Sequence, residues 1–175
     1  MGLQDQMVLE FRYWDSAGPC QRHDKAAFRP SAVDVLCVNK TGSTLAGGGG
    51  SATGACDWVT LDFTNDLTGK RPHIRKLPTS AIKCLGCIAP DMPASIADGE
   101  LCWVRVFGIH PTAKVDGTTD IAINDGIGVY SSTAGVGAKN TTIGNTFATA
   151  LEAYTTDATV AGKKVFIHDP MGFSQ

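Results

Sequence analysis

Apolar residues along this chain mostly alternate with polar ones, the period of β-strands. Glycine, proline and Asp-Gly or Asn-Asp-Gly groups cut that alternation into short pieces. Residues 97–130 show this best. After a turn signal at Asp98-Gly99, Leu101, Trp103, Arg105 and Phe107 share one strand face, and Cys102, Val104 and Val106 share the other. The pattern predicts a strand over residues 100–107, with Phe107 and at least one of Val104 and Val106 buried. Gly108 and Pro111 punctuate it. Residues 113–115 and 121–123 read as two further short strands, closed by Asp116-Gly117 and by Asn124-Asp125-Gly126. Such a succession is the mark of a small antiparallel barrel or sandwich.

Upstream, residues 7–14 (MVLEFRYW) alternate, with Leu9, Phe11 and Tyr13 facing opposite to Glu10, Arg12 and Trp14. Residues 33–38 form a β-branched strand, and residues 58–64 form another with Val59, Leu61 and Phe63 inward. Between them lie Gly47 to Gly50 and Ser51. Four successive glycines predict a mobile loop at the tip of a hairpin joining those two strands. Residues 65–78 carry Lys70, Arg71, His73, Arg75 and Lys76 between prolines with no strand period, which reads as a solvated loop or an extended arm. Residues 80–88 read as a strand and residues 89–93 as a connector, placing a boundary near residues 90–96. The organisation expected is a β-rich region over 1–95 and a barrel-like domain over 96–175. In the latter, residues 143–154 lean toward strand and residues 165–167 form the last one.

Composition narrows the function. Only 18% of residues are charged, glycine reaches 20, and the net charge is −2. A surface of small neutral groups suits a subunit whose neighbours cover it, and gives no reason to expect nucleic-acid binding. No stretch is long and apolar enough for a membrane-spanning helix, and the first six residues do not resemble a signal peptide. Gly2 lacks the Ser or Thr that myristoylation prefers at position 6. Six cysteines in such a chain are expected to be reduced thiols.

No motif compels a catalytic reading. Cys84-Leu85-Gly86-Cys87 has the spacing of a zinc or disulfide-exchange site. It lacks a second ligand pair and the strand-helix context of a redox site, so structural thiols are expected. His23, His73, His110 and His168 stand in unrelated contexts, and no G-x-S-x-G elbow accompanies them. Asp120, Asn124 and Asp125 do not have EF-hand spacing. The sequons at Asn39 and Asn140 carry meaning only in a secreted protein. The expectation is a chain with no catalytic residue, metal or cofactor. A thiol or metal enzyme at Cys84 and Cys87, and a sugar-binding β-sandwich using Trp14, Trp58 or Trp103, stand as rivals.

The run Trp103 to Gly108, the strand reaching Lys114-Val115-Asp116-Gly117, the segment Ile123 to Val129, and the run Ile143 to Ala153 ending at Val165-Phe166-Ile167 together resemble a capsid decoration (cement) protein of tailed bacteriophages. The resemblance spans roughly residues 96–168, and Asn124-Asp125-Gly126 stands where that family has a Gly-Asp turn. It implies an all-β fold, a small antiparallel β-barrel or β-tulip-like domain with an irregular N-terminal arm. It also implies a protein made in the host cytoplasm that binds the outer capsid surface and bridges capsomers, with the major capsid protein as partner and a dimer or trimer as its own state. The rival among virion proteins is a tail, fibre or head-completion component. On this reading the strand edges of residues 7–14 and 70–78 would add to a neighbour's sheet. Phe11, Tyr13 and Trp14 would supply rings, and Arg71 and Arg75 would clamp carboxylates at the rim.

Overall fold

The structure is a computed structural model that describes residues 10–15, 18–20, 31–49, 54–62, 71–80, 83–130, 132–142, 145–155 and 157–168. It is all-β, with no helix among the described residues. The strands are β1 (Phe11–Asp15), β2 (Gly18–Cys20), β3 (Ala32–Asn39), β4 (Trp58–Leu61), β5 (His73–Lys76), β6 (Gly86–Ile88), β7 (Leu101–Gly117), β8 (Gly126–Val129), β9 (Gly137–Lys139), β10 (Ala148–Ala150) and β11 (Asp157–His168). All belong to one 11-stranded sheet. Its pairings trace two partial rings that share β7: β7–β3–β5–β4–β6 and back, and β7–β11–β10–β8–β9 and back. The expected antiparallel order holds except at two short parallel junctions. β3 meets β5 over Val38↔His73 and Asn39↔Ile74, and β7 meets β9 at Val115↔Gly137 alone.

β7 runs unbroken for 17 residues, where the sequence suggested two strands separated by Gly108 and Pro111. Both interruptions are absorbed by changes of partner. At Gly108 (φ 96°), β3 leaves one side of β7 while β11 begins on the other. A Cβ there would stand 2.2 Å from the Ser31 carbonyl oxygen, so only glycine fits. Pro111 falls where the register with β11 slips between Lys163 and Val165, so its missing N–H removes no ladder bond. Val104 and Val106 are fully buried. Phe107 is only half-buried, against the expectation, because its ring lies on the outer face edge-on to Phe166 at 5.4 Å.

The core is continuous across residue 95. Trp58 is fully buried, its ring 4.7 Å from that of Phe147, and its indole N–H donates to the Lys114 carbonyl at 2.8 Å.

Several local expectations are corrected. β3 and β4 do not pair, so the glycine run does not cap a hairpin between them. Gly47 and Gly48 are buried, and a Cβ at either would lie 2.2 Å from the carbonyl oxygen of Pro93 or Pro90. The glycines pack, and their missing side chains are what let two backbones touch. Gly50 and Ser51 lie outside the described residues. Within the basic stretch residues 73–76 form a strand, β5, hydrogen-bonded between β4 and β3, rather than part of a loop; residues 65–70 lie outside the described residues. Residues 121–123 make only a bridge, Ile121↔Tyr154, and Ile123 is exposed. The strand read over residues 80–88 shortens to β6, and the last strand, read over 165–167, extends back to Asp157 as β11. Phe63, Thr64, Lys70, Ile143 and Gly144 lie outside the described residues, as do residues 7–9.

Candidate interaction face

Alternation along β7 sends Cys102, Val104, Val106 and His110 inward and Leu101, Trp103, Arg105, Phe107 and Ile109 outward. The neighbouring strands continue the outward face. β1 contributes Arg12 and Trp14, β3 contributes Asp34 and Leu36, β11 contributes Phe166 and His168, and β10 contributes Thr149. A sheet face turned to water is ordinarily polar. This one is mostly aromatic and aliphatic, with Leu101 50% and Ile109 46% exposed.

Its few charges neutralise one another. Arg12, Asp34 and Arg105 are register partners on three adjacent strands. Asp34 is buried, and it accepts from Arg12 (Nη2 at 2.7 Å, Nε at 3.0 Å), from the Trp14 indole N–H (2.6 Å) and from Arg105 (Nε at 2.8 Å). The remaining Arg12 donors reach both oxygens of Asp91, at 2.7 and 2.9 Å, and Arg105 Nη1 donates to the Ile109 carbonyl at 2.8 Å. The Arg12 guanidinium lies 4.9 Å from the Trp14 ring centre and 4.8 Å from that of Trp103, within cation–π range of both. Burial depresses the Arg12 pKa, but the bonds to Asp91 and Asp34 outweigh it and raise the value. Two guanidiniums against two carboxylates leave no formal charge over. The other half of the face holds Phe107, Ile109 and Phe166. His168 packs on Phe166 at 5.6 Å and bonds the Thr149 hydroxyl at 2.6 Å.

The residues singled out from the sequence divide differently from expectation. Trp14 belongs to this face. Phe11 and Tyr13 turn the other way, half-buried against the core. Arg71 pairs with Glu10 at 2.6 Å, and Arg75 is exposed on β5. Neither strand is a free edge along its whole length: β1 lies between β2 and β3, and β5 lies between β3 and β4. The outer pairing is partial in both: β2 faces only Tyr13–Asp15 of β1, and β3 faces only His73 and Ile74 of β5.

Asp34, Arg105, Arg12, Ile109 and Phe166 were not singled out from the sequence. A signal existed for two of them: Asp34 and Arg105 are each the lone charge inside an otherwise apolar strand run, an arrangement that burial tolerates only with an opposite partner.

The other chemical candidates resolve into structural roles. The thiols of Cys84 and Cys87 are buried and donate to main-chain carbonyls at 3.4 Å, Cys84 to Val59 and Gly86, Cys87 to Cys56. Burial pushes both thiols well above the ordinary range, and pushes Cys56 to about 11 and Cys102 to about 12, so thiolates are scarce at neutral pH. Asp57, also buried, is held by Lys114, by Lys76 at 3.4 Å and by the Ala46 N–H at 2.8 Å. At the turn considered for calcium, the Lys139 ammonium sits 2.8 Å from Asp125 and 3.0 Å from the Asp120 carbonyl, filling a cation's place. Asn39 cannot carry a glycan: it is buried, with its amide donating to the carbonyls of Ser43, Ile96 and Ala97. Trp58 is enclosed and offers no platform to a sugar. Among the described residues no cluster of His, Cys, Asp and Glu is placed to hold a metal, and no helix is long and apolar enough to cross a membrane.

No protein-family model matches the chain, and no curated protein matches it either. Among solved structures it is similar to the N base of the head fiber protein gp8.5 of bacteriophage phi29, with 13% sequence identity and a TM-score of 0.44, over 79% of this chain and 96% of that one.

Proposed function

We propose that this chain is a structural virion protein of a tailed bacteriophage that binds the outer surface of the capsid, with the major capsid protein as partner, and stabilises contacts between capsomers. It acts as a dimer or trimer and performs no catalysis. The observation that carries this reading is the outward face of β7 and its neighbours, where Leu101 and Ile109 stand about half exposed beside ion-paired charges and half-buried aromatic rings. The sequence resemblance to capsid decoration proteins supplies the partner. A protein that binds only the assembled lattice stabilises it by mass action, and repetition over the lattice adds avidity.

The test is quantitative mass spectrometry of purified particles, joined to re-addition of the purified protein to heads from a deletion strain. Copy number on the scale of the capsid lattice, with restored resistance of the heads to heat, is the expected result. A few copies per particle would assign the chain to a tail, fibre or head-completion role instead, and absence from the particle would remove the virion reading altogether.

A further inference from the structure

We infer that Asp57 and Lys114 condense within the folded chain into an isopeptide bond, a covalent cross-link between the entry to β4 and the strand β7. This goes beyond the function proposed above and does not depend on it.

Asp57 stands just before β4 and is 1% exposed. Its main chain is fixed on both sides: its N–H donates to the Ala46 carbonyl at 2.9 Å, and its carbonyl accepts the Ile88 N–H at 3.0 Å. Lys114 is fixed beside it by a parallel bridge, Cys56↔Ala113. There the Cys56 N–H donates to the Thr112 carbonyl and the Lys114 N–H to the Cys56 carbonyl, both at 2.9 Å. The Trp58 indole N–H holds the Lys114 carbonyl at 2.8 Å. Backbone that cannot drift thus brings the two side chains together, and Lys114 Nζ bonds Asp57 Oδ1 directly. Holding reactants in one geometry removes much of the entropic barrier to their reaction. Gly135 lies against the same carboxyl, where a Cβ would stand 3.2 Å from Oδ1, so main chain covers that side.

The other oxygen has different company. Oδ2 accepts the Ala46 N–H at 2.8 Å, and the Lys76 ammonium stands 3.4 Å from it. A main-chain N–H and a positive charge converging on one oxygen are what an acyl-transfer intermediate needs where its negative charge develops. The carboxyl therefore has an amine at one oxygen and an oxyanion site at the other. An ion pair buried this far returns in desolvation much of what it gains in attraction, and an amide removes both charges.

The proton that Nζ shares with Oδ1 passes to the oxygen, leaving an amine and a carboxylic acid. The amine attacks Cγ, and the carbonyl electron pair moves to Oδ2, facing Ala46 and Lys76. A second Nζ proton goes to the Oδ1 hydroxyl, the Cγ–Oδ1 bond breaks, and water leaves. The amide keeps Oδ2 as its carbonyl oxygen and one hydrogen on Nζ. Neither oxidant nor reductant is needed. Lys76 is the more exposed of the two lysines, 35% against 21%, and it remains an ammonium.

The experiment is intact-mass spectrometry of the purified full chain under denaturing conditions, followed by proteolysis and fragment sequencing. The expected result is a mass short of the sequence mass by one water, and a branched peptide joining Lys114 to Asp57. Lys114→Arg keeps the positive charge but offers no amine to acylate, so it should show the full mass. A wild-type chain that has lost no water would overturn the assignment. So would a loss mapping elsewhere, for example to Asp98-Gly99, or a branch through Lys76. Should Lys114→Arg prove unfolded, the wild-type mass and peptide map decide the question by themselves.

Discussion

The two halves of β7's outer face are built from the same alternation yet meet opposite fates. From Trp103 to Arg105 the face is covered: β1 lays Arg12 and Trp14 across it, and Asp34 ties three strands together through buried ion pairs. From Phe107 to Ile109 nothing in the described chain lies across it, and apolar side chains meet water. The difference lies in what each position carries. Arg105 in a sheet interior requires a counter-charge, and supplying one brings Asp34, then Arg12, then Asp91 into a chain of mutual need. Phe107 and Ile109 impose no such requirement and can stand open. Charge inside a sheet recruits cover from the same molecule; a partly exposed apolar side chain does not need it.

The largest expected effect comes from breaking the covered half at its centre. Asp34→Ala strips the buried Arg105 of its carboxylate partner and leaves the Trp14 N–H unmatched. The expected loss is about 3–5 kcal/mol, measured by urea unfolding. A loss below about 1 kcal/mol would mean that water replaces the carboxylate and that the cover is looser than described.

Next in size is the effect of pH on His110, buried on the inner side of β7 just past the open half. Its Nδ1 accepts the Thr112 N–H at 3.2 Å, so Nε2 carries the proton and donates to the Ile88 carbonyl at 2.7 Å. Protonation would set an N–H against an N–H and place a charge near Arg105. Burial accordingly lowers the imidazole to about 4 from an ordinary 6.5. The unfolded chain therefore takes up a proton first, and stability falls as pH drops from about 6.5 to about 4, by roughly 3 kcal/mol in all, then levels for this group. Histidine ring NMR is the check: His110 should remain neutral at pH 5.5. Titration near its ordinary value would show that the middle of β7 opens to water.

How much of this was legible in the sequence follows the range of the forces involved. The strands read over 33–38, 58–64, 100–107 and 165–167 were legible at least in part, as β3, β4, β7 and β11, because alternation is local and each is half or fully buried. The turn at Asn124-Asp125-Gly126 was readable for the same reason, and Asn124 adopts φ 74° there. The unity of β7 was not, because Gly108 and Pro111 end strands on local grounds, and only the arrival of β11 and the slip in its register explain their tolerance. Gly47 and Gly48 looked mobile because nothing nearby in sequence reveals that residues 90–93 lie against them. The Arg12–Asp34–Arg105 row joins residues 22 and 71 positions apart, a distance no periodicity spans. β5 was hidden by the charges in and beside it: Lys76 reaches Asp57, just before β4, and Arg71, just before β5, reaches Glu10, just before β1.

A milder break of the cover is Arg12→Ala. Asp34 keeps Arg105 and Trp14, so no buried charge is orphaned, but two cation–π contacts and the tie to Asp91 disappear. The expected cost is about 2 kcal/mol. Adding Asp91→Ala to Arg12→Ala should cost little more, because each removes the same bond. Full additivity in that double-mutant cycle would show that Asp91 stabilises the fold by another route.

The smallest effect is expected from the open half, and its smallness is the point. Ile109→Ser removes an apolar side chain that is nearly half exposed and belongs to no buried cluster, while the carbonyl that Arg105 uses is main chain and stays in place. Stability should change by no more than about 0.5 kcal/mol, the range of ordinary surface substitutions. The corresponding change on the inner face three residues earlier, Val106→Ser, deletes a fully buried side chain and introduces a hydroxyl into the core, and should cost several times more. Urea unfolding of the two variants side by side tests whether the face is open in the free protein. If Ile109→Ser is as damaging as Val106→Ser, then Ile109 is covered by the chain itself, and the contrast between the two halves of β7 disappears.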